Sequence, residues 1–298
     1  MRPYTTYRIL IRLRKLKRIG IVLFLAGVLC YAIYQGRLFI DEEFGVAKEL
    51  PFYDVGPRPD DDTLRVAVIG DSWAEWHVTL GCDTIIQKYA RKMALYPVKS
   101  HSRGKGGAKT KDVYHYMFKS ITQEVAWEAD VCTQPLIEEH PDYCVIMAGI
   151  NDSWKKHPLS YYTGNYRLII RLLLANHIRP IVMEIPDFDM TGWLDIKGIK
   201  IRWTYRFISL FTGTWDDDVR PFRKALREML EQEHLMDSVL FIPKDHWNPK
   251  DNNYPETIYQ SDHVHLNLEG YHVLDSCIVS EIIHDYQKRK EQSSVIKK

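Results

Sequence analysis

The sequence predicts a three-layer α/β/α domain on a five-stranded parallel sheet, preceded by one transmembrane helix. From Leu64 onward short apolar runs alternate with longer amphipathic stretches, as parallel strands joined by helices do. Ile19 to Gly36 carries no charged residue. At 298 residues the chain accommodates one such domain with a short appendage.

Taken in order, residues 1–18 form a basic segment. Arg2, Arg8, Arg12, Arg14, Lys15, Lys17 and Arg18 crowd it, and no acid precedes Asp41. The stretch 19–36, IGIVLFLAGVLCYAIYQG, reaches the lower length limit for a bilayer-crossing helix. Cations before it and Asp41, Glu42 and Glu43 after it put the N-terminus in the cytoplasm and the remainder outside, periplasmic or extracellular. A core helix would have to accommodate the flanking cations. A cleaved signal peptide needs small residues where Cys30-Tyr31-Ala32-Ile33-Tyr34 stands. Leu29 before Cys30 does not suit a lipoprotein site. The expectation is therefore a retained signal anchor over 19–36, followed by an acidic, proline-containing linker over 37–63.

The domain proper is expected over 64–290, with 291–298 as a tail. LRVAVIG (64–70) reads as a buried strand and 74–93 as a helix. Residues 95–101 are a second strand and 109–124 a helix. YCVIMAG (143–149) is the clearest later strand, followed by a helix over 160–177. PIVMEIP (180–186), a helix near 217–235, SVLFIP (238–243) and a terminal helix from about 268 complete the set. Residues 188–216 break the alternation with Trp193, Trp203, Tyr205, Phe207, Phe211 and Trp215. Extra core packing, a lid over substrate and a surface resting on the membrane are its three readings.

Composition narrows the function. The chain is 45% hydrophobic and 27% charged, with a net charge of +1, so no broad basic face is available for nucleic acid. Cys82, Cys132, Cys144 and Cys277 show no zinc-ligand spacing, and neither a metal nor another cofactor is expected. In an oxidising compartment Cys82 with Cys132 is the candidate disulfide, whereas Cys144 reads as a buried thiol.

Four segments carry chemistry, each at the end of a strand or the start of a helix. Gly70-Asp71-Ser72 places a hydroxyl where helix N–H groups are unpaired, although Asp71 and Ser72 also suit a plain N-cap. Ser102-Arg103-Gly104-Lys105-Gly106-Gly107 lets the main chain approach a ligand. It is not a phosphate loop, because Ala108 and Arg103 stand where that motif needs glycine. Gly149-Ile150-Asn151-Asp152 offers a carboxamide that could donate to an oxyanion, or simply an Asx turn. Asp262 and His265, three apart, can bring carboxylate to imidazole. His263 with His265 as metal ligands lacks supporting residues.

Together these blocks resemble the SGNH, or GDSL-like, hydrolase superfamily, over about residues 64–287. Ser102 departs from the asparagine more usual in the second block. The resemblance implies a flavodoxin-like α/β/α fold and a serine esterase or acyl hydrolase. Ser72 would be the nucleophile, with His265 and Asp262 completing the triad. The oxyanion hole would be the N–H groups of Ser72 and Gly107 and the Asn151 side chain. Ala74 replaces the last glycine of the α/β-hydrolase elbow, which sets that fold aside. An exported, tethered esterase would meet acylated glycans or lipids of the cell envelope. O-acetyl ester hydrolysis on a glycan is the leading expectation, with Trp73, Trp76 and the aromatic insertion as sugar-stacking candidates. A lipase or lysophospholipase, an O-acyltransferase using the same serine, and a non-catalytic glycan-binding or assembly protein are the alternatives.

Overall fold

The computed structural model describes residues 20–31, 45–92, 97–120, 131–200, 202–203, 218–248 and 255–296. The chain divides into two units, Met1–Gly45 and Val46–Lys298. In the first, residues 20–31 are helical (α1), with Ile21, Val22, Leu23, Phe24, Leu25, Val28 and Leu29 all exposed. Among the described residues no helix is long and apolar enough to cross a membrane. The rest of the expected 19–36 span, and residues 1–18 with it, lie outside the described residues.

The second unit carries the sheet: β1 (Leu64–Gly70), β2 (Val98–Gly104), β3 (Tyr143–Met147), β4 (Arg179–Met183) and β5 (Leu240–Ile242). Every pairing is parallel and the order is β2-β1-β3-β4-β5. This is the flavodoxin-like order, whose direction of winding reverses between β1 and β3. Just beyond the carboxyl ends of those two strands the flanking loops part and leave a crevice. β1 and β3 are buried at every position, as strands covered by helices on both faces must be. β2, at one margin, alternates instead: Val98, Ser100 and Ser102 face inward while Lys99 and His101 face solvent.

Helices close both faces. α2 (Ser72–Thr79) and α3 (Asp83–Lys92) pack on β2, and α3 also meets the terminal helix α10 (Leu268–Ile296). On the other face α4 (Thr110–Tyr116) and α9 (Arg220–Gln232) both pack against α7 (Leu159–Ala175). α5 (Gln134–Glu138), α6 (Ile150–Trp154) and α8 (Met190–Ile196) are short. The helix expected over 74–93 is two helices, interrupted by a turn at Leu80–Cys82.

Residues 46–53, within the linker expected over 37–63, are held against the domain. Ala47 is buried and its N–H donates to Asn165 Oδ1 at 2.8 Å. The Leu50 N–H donates to the Tyr114 hydroxyl at 2.9 Å, and the Tyr53 hydroxyl to Met117 O. Buried polar groups on α4 and α7 would otherwise lack partners, so this strap completes the domain. Residues 37–44 lie outside the described residues. The expected Cys82–Cys132 disulfide is not formed: both residues are buried as unbridged cysteines, as is Cys144. Desolvation pushes the Cys82 and Cys144 thiols up, so each is held neutral in the core.

Candidate active site

The site is assembled from four loops at the carboxyl edge of the sheet. Asp71 caps α2: its Oδ1 accepts from the Trp73 N–H at 3.0 Å, while its own N–H donates to Met147 O at 2.9 Å. Ser72, the first residue of α2, is thereby set between the ends of β1 and β3. Burial, partly offset by the Trp73 N–H, pushes the Asp71 carboxyl up to about 7.

After β2 the chain turns through Lys105–Ala108, closed by the Ala108 N–H on Lys105 O at 3.1 Å. Gly107 takes φ +78° there, a left-handed conformation that side chains disfavour. Gly104 is needed for a different reason. A β-carbon on it would stand 2.5 Å from Ala74 Cβ and 2.6 Å from Asp71 O, so its absence lets α2 approach β2. Ser102, the departure from the family block, turns its hydroxyl away to Asp83 Oδ1 (2.6 Å) and His77 Nδ1 (2.8 Å).

After β3, Asn151 is 5% exposed and one of its amide hydrogens reaches Ala108 O at 3.0 Å. A carboxamide has two such hydrogens, so one remains to donate into the cleft. The neighbouring Asp152 is wholly buried and binds the start of α4, accepting from Thr110 N (3.0 Å) and Thr110 Oγ1 (2.5 Å). Burial pushes its carboxyl up to about 6 against those hydrogen bonds. Asp152 thus locks the β3 loop to the glycine turn. The sequence marks Asp152 only as part of a motif, because its partner lies 42 residues away.

The fourth loop precedes α10. His263 takes φ +54°, a conformation histidine tolerates better than most residues, and the loop folds back on itself. Asp262 Oδ1 then accepts from the N–H groups of Val264 (3.0 Å) and His265 (2.9 Å), while Oδ2 meets His265 Nδ1 at 2.6 Å. Half-burial alone would raise the Asp262 carboxyl, but the His265 ring and these two N–H groups hold it down at about 2. His265 Nε2 lies 2.9 Å from Ser72 Oγ. Ser72, His265 and Asp262 therefore form one continuous hydrogen-bonded chain.

These groups face a cleft of about 450 Å³ whose lining includes Ser72, Gly107, Asn151 and His265. Trp76, Trp154 and Trp193 wall it, with the Trp154 and Trp193 rings in edge contact at 5.4 Å and Lys197 Nζ 5.2 Å from the Trp193 ring. Among the described residues, Trp193 and Lys197 are the residues of the expected 188–216 insertion that line it. Trp203 is exposed, and Tyr205, Phe207, Phe211 and Trp215 lie outside the described residues. Trp73, named above for sugar stacking, is 2% exposed and cannot reach substrate; Trp76 can.

Among the described residues one group of metal-type ligands converges, His77, Cys82 and Asp275, with donor atoms within 4.8 Å of one another. There His77 Nε2 is 3.2 Å from both Asp275 oxygens and Nδ1 is taken by Ser102, so the cluster binds α2 to α10. His263 Nδ1 faces Asp189 Oδ2 at 3.5 Å rather than sharing a ligand site with His265.

Residues 68–273 match the family model of the GDSL-like Lipase/Acylhydrolase family. The chain belongs to that family. As a GDSL-like hydrolase it is an SGNH-type enzyme, and an esterase or acylhydrolase by class. Solved structures of similar fold include a Bacteroides fragilis protein assigned as an acylhydrolase, 19% identical, with a TM-score of 0.50 over 77% of this chain and 91% of that one. A lipase/acylhydrolase from Enterococcus faecalis is 18% identical, with a TM-score of 0.48 over 74% and 95%. An acetylxylan esterase from Geobacillus stearothermophilus is 17% identical, with a TM-score of 0.44 over 74% and 94%. No curated protein matches the sequence.

Proposed function

We propose that this GDSL-like hydrolase is a membrane-tethered serine esterase that cleaves acyl esters, O-acetyl groups foremost, from glycans of the cell envelope. The observation that carries the chemistry is the unbroken chain from Ser72 Oγ through His265 to Asp262, at 2.9 and 2.6 Å. His265 Nε2 takes the hydroxyl proton as Ser72 Oγ attacks the ester carbonyl. Asp262, ionised at any pH well above 2, holds the imidazole in the tautomer that accepts at Nε2 and stabilises the cation that forms. The carbonyl oxygen, now an oxyanion, is received by the N–H groups of Ser72 and Gly107 and by the free Asn151 amide hydrogen. His265 returns its proton to the leaving alcohol. Water then attacks the acyl-Ser72 ester by the same route and releases the acid, with the proton restored to Ser72.

The tryptophan-walled cleft favours a ring-bearing alcohol over a bare acyl chain, since indoles pack well on the apolar faces of sugars. The tether rests on the uncharged stretch 19–36, the cations before it and the all-round exposure of apolar residues in α1. Its orientation places the catalytic domain outside the cytoplasm.

The test is product release from a panel of acetylated glycans, phospholipids and acyl thioesters, alongside labelling by a fluorophosphonate probe. Acetate release from glycans together with labelling at Ser72 is the expected result. Fatty-acid release from phospholipid alone would replace the substrate. Diversion of the acyl group to an added alcohol would make the enzyme a transferase. Absence of labelling in folded protein would leave a glycan-binding module.

A further inference from the structure

Ser72 and His265 stand 193 residues apart, and more than the sheet holds them together. The residue beside the nucleophile, Trp73, sends its indole N–H to the carbonyl of Val264 at 3.1 Å. That carbonyl belongs to the peptide joining Val264 to His265. The N–H of the same peptide donates to Asp262 Oδ1 at 2.9 Å. Asp262 Oδ2 meets His265 Nδ1, His265 Nε2 meets Ser72 Oγ, and Ser72 is bonded to Trp73. The contacts close into a ring that contains the whole triad.

We infer that Trp73 is a positioning residue, which fixes the distance and angle of the His265 imidazole to Ser72 by holding the Val264–His265 peptide. The inference rests on the triad proposed above. Trp73 itself has little freedom. Its carbonyl accepts from the Tyr271 hydroxyl at 2.6 Å, and its ring meets Trp247 and Tyr271 at 5.8 and 6.5 Å. A donor that polarises the peptide carbonyl also strengthens the N–H on the far side, so the indole reaches the triad carboxylate through one amide. Without it the loop is held from outside at His263, whose carbonyl accepts from the Asp189 N–H at 3.0 Å, and not at the triad peptide itself; a drift of about 1 Å in such a site costs on the order of 10²-fold in rate.

Packing and positioning can be separated, because Trp247 touches the same ring system while its indole nitrogen has no partner among the described residues. Trp73→Phe and Trp247→Phe in the full chain are compared with a chromogenic acetyl ester. Trp73→Phe is expected to lower kcat about tenfold, one hydrogen bond's worth, with KM within about twofold. It should also shift or broaden the downfield proton resonance of His265 Nδ1–H. Trp247→Phe should leave kcat and that resonance in place. Unchanged kcat in folded Trp73→Phe, or equal losses in both variants, overturns the inference. Should Trp73→Phe fail to fold, 3-benzothienylalanine at position 73 keeps the outline without the N–H and is expected to show the same loss; full activity there overturns it. Loss of the triad itself would read differently, as full activity in Ser72→Ala.

Discussion

Asn151 divides its two amide hydrogens between Ala108 O and the cleft, so removing it withdraws one oxyanion donor and also loosens the glycine turn. Asn151→Ala should lower kcat by about 10²–10³-fold and change KM little, as steady-state kinetics with an acetyl ester would show. Asp262→Asn keeps the shape but offers a donor where His265 Nδ1–H needs an acceptor. It should cost about 10⁴-fold in kcat, and a loss under tenfold would remove Asp262 from the orienting role. At this scale the convergence of Ser72, Asn151, Asp262 and His265 was legible because each sits in a short block at a strand end or just before a helix. Trp73 and Asp152 were not, because what they do depends on Val264 and Thr110, 191 and 42 residues away. Trp73 even read as a sugar platform, and only its burial corrects that.

The strands were legible from apolar runs: β1 lies where it was expected, and β3 and β4 within a few residues. β2 was placed too early, since its alternation of inward serines with outward Lys99 and His101 gives little apolar signal. The break between α2 and α3 was missed because apolar residues continue through it in helical spacing. Their separation matters to the site. α2 is drawn close to β2 over Gly104, where there is no room for a methyl group. Gly104→Ala should therefore lower stability by about 1–3 kcal/mol in urea titration and reduce kcat as well, by moving Ser72 off its neighbours. A stable, fully active variant would show that the helix can retreat without consequence.

Across the whole molecule, burial sets an unusual pH response. Asp71 rises from 3.8 to about 7 and Asp152 from 3.8 to about 6, so the fold retains protons that the unfolded chain gives up. Between about pH 4 and 7 the unfolded state binds fewer protons than the folded one, so stability falls as pH rises through that window. Asp262 acts oppositely: its contribution is present above its unfolded value and is lost as pH falls toward 2. The melting temperature should thus decline from about pH 5 to pH 8. Asp71→Asn, which keeps the cap oxygen without the charge, should flatten part of that decline; an unchanged slope would mean that Asp71 ionises without penalty. Removing residues 1–45 should release an active Val46–Lys298 unit into the soluble fraction, whereas the proposed tether should keep the full chain with membranes on fractionation.

The two margins of the sheet complete this picture. One is β5, only three residues long, and the other is β2, which points Lys99 and His101 outward. Neither presents a flat apolar ribbon on which a second chain could add a strand. Molecules held side by side by the proposed tether would therefore meet without zippering into fibrils, and their clefts would stay open for passing esters.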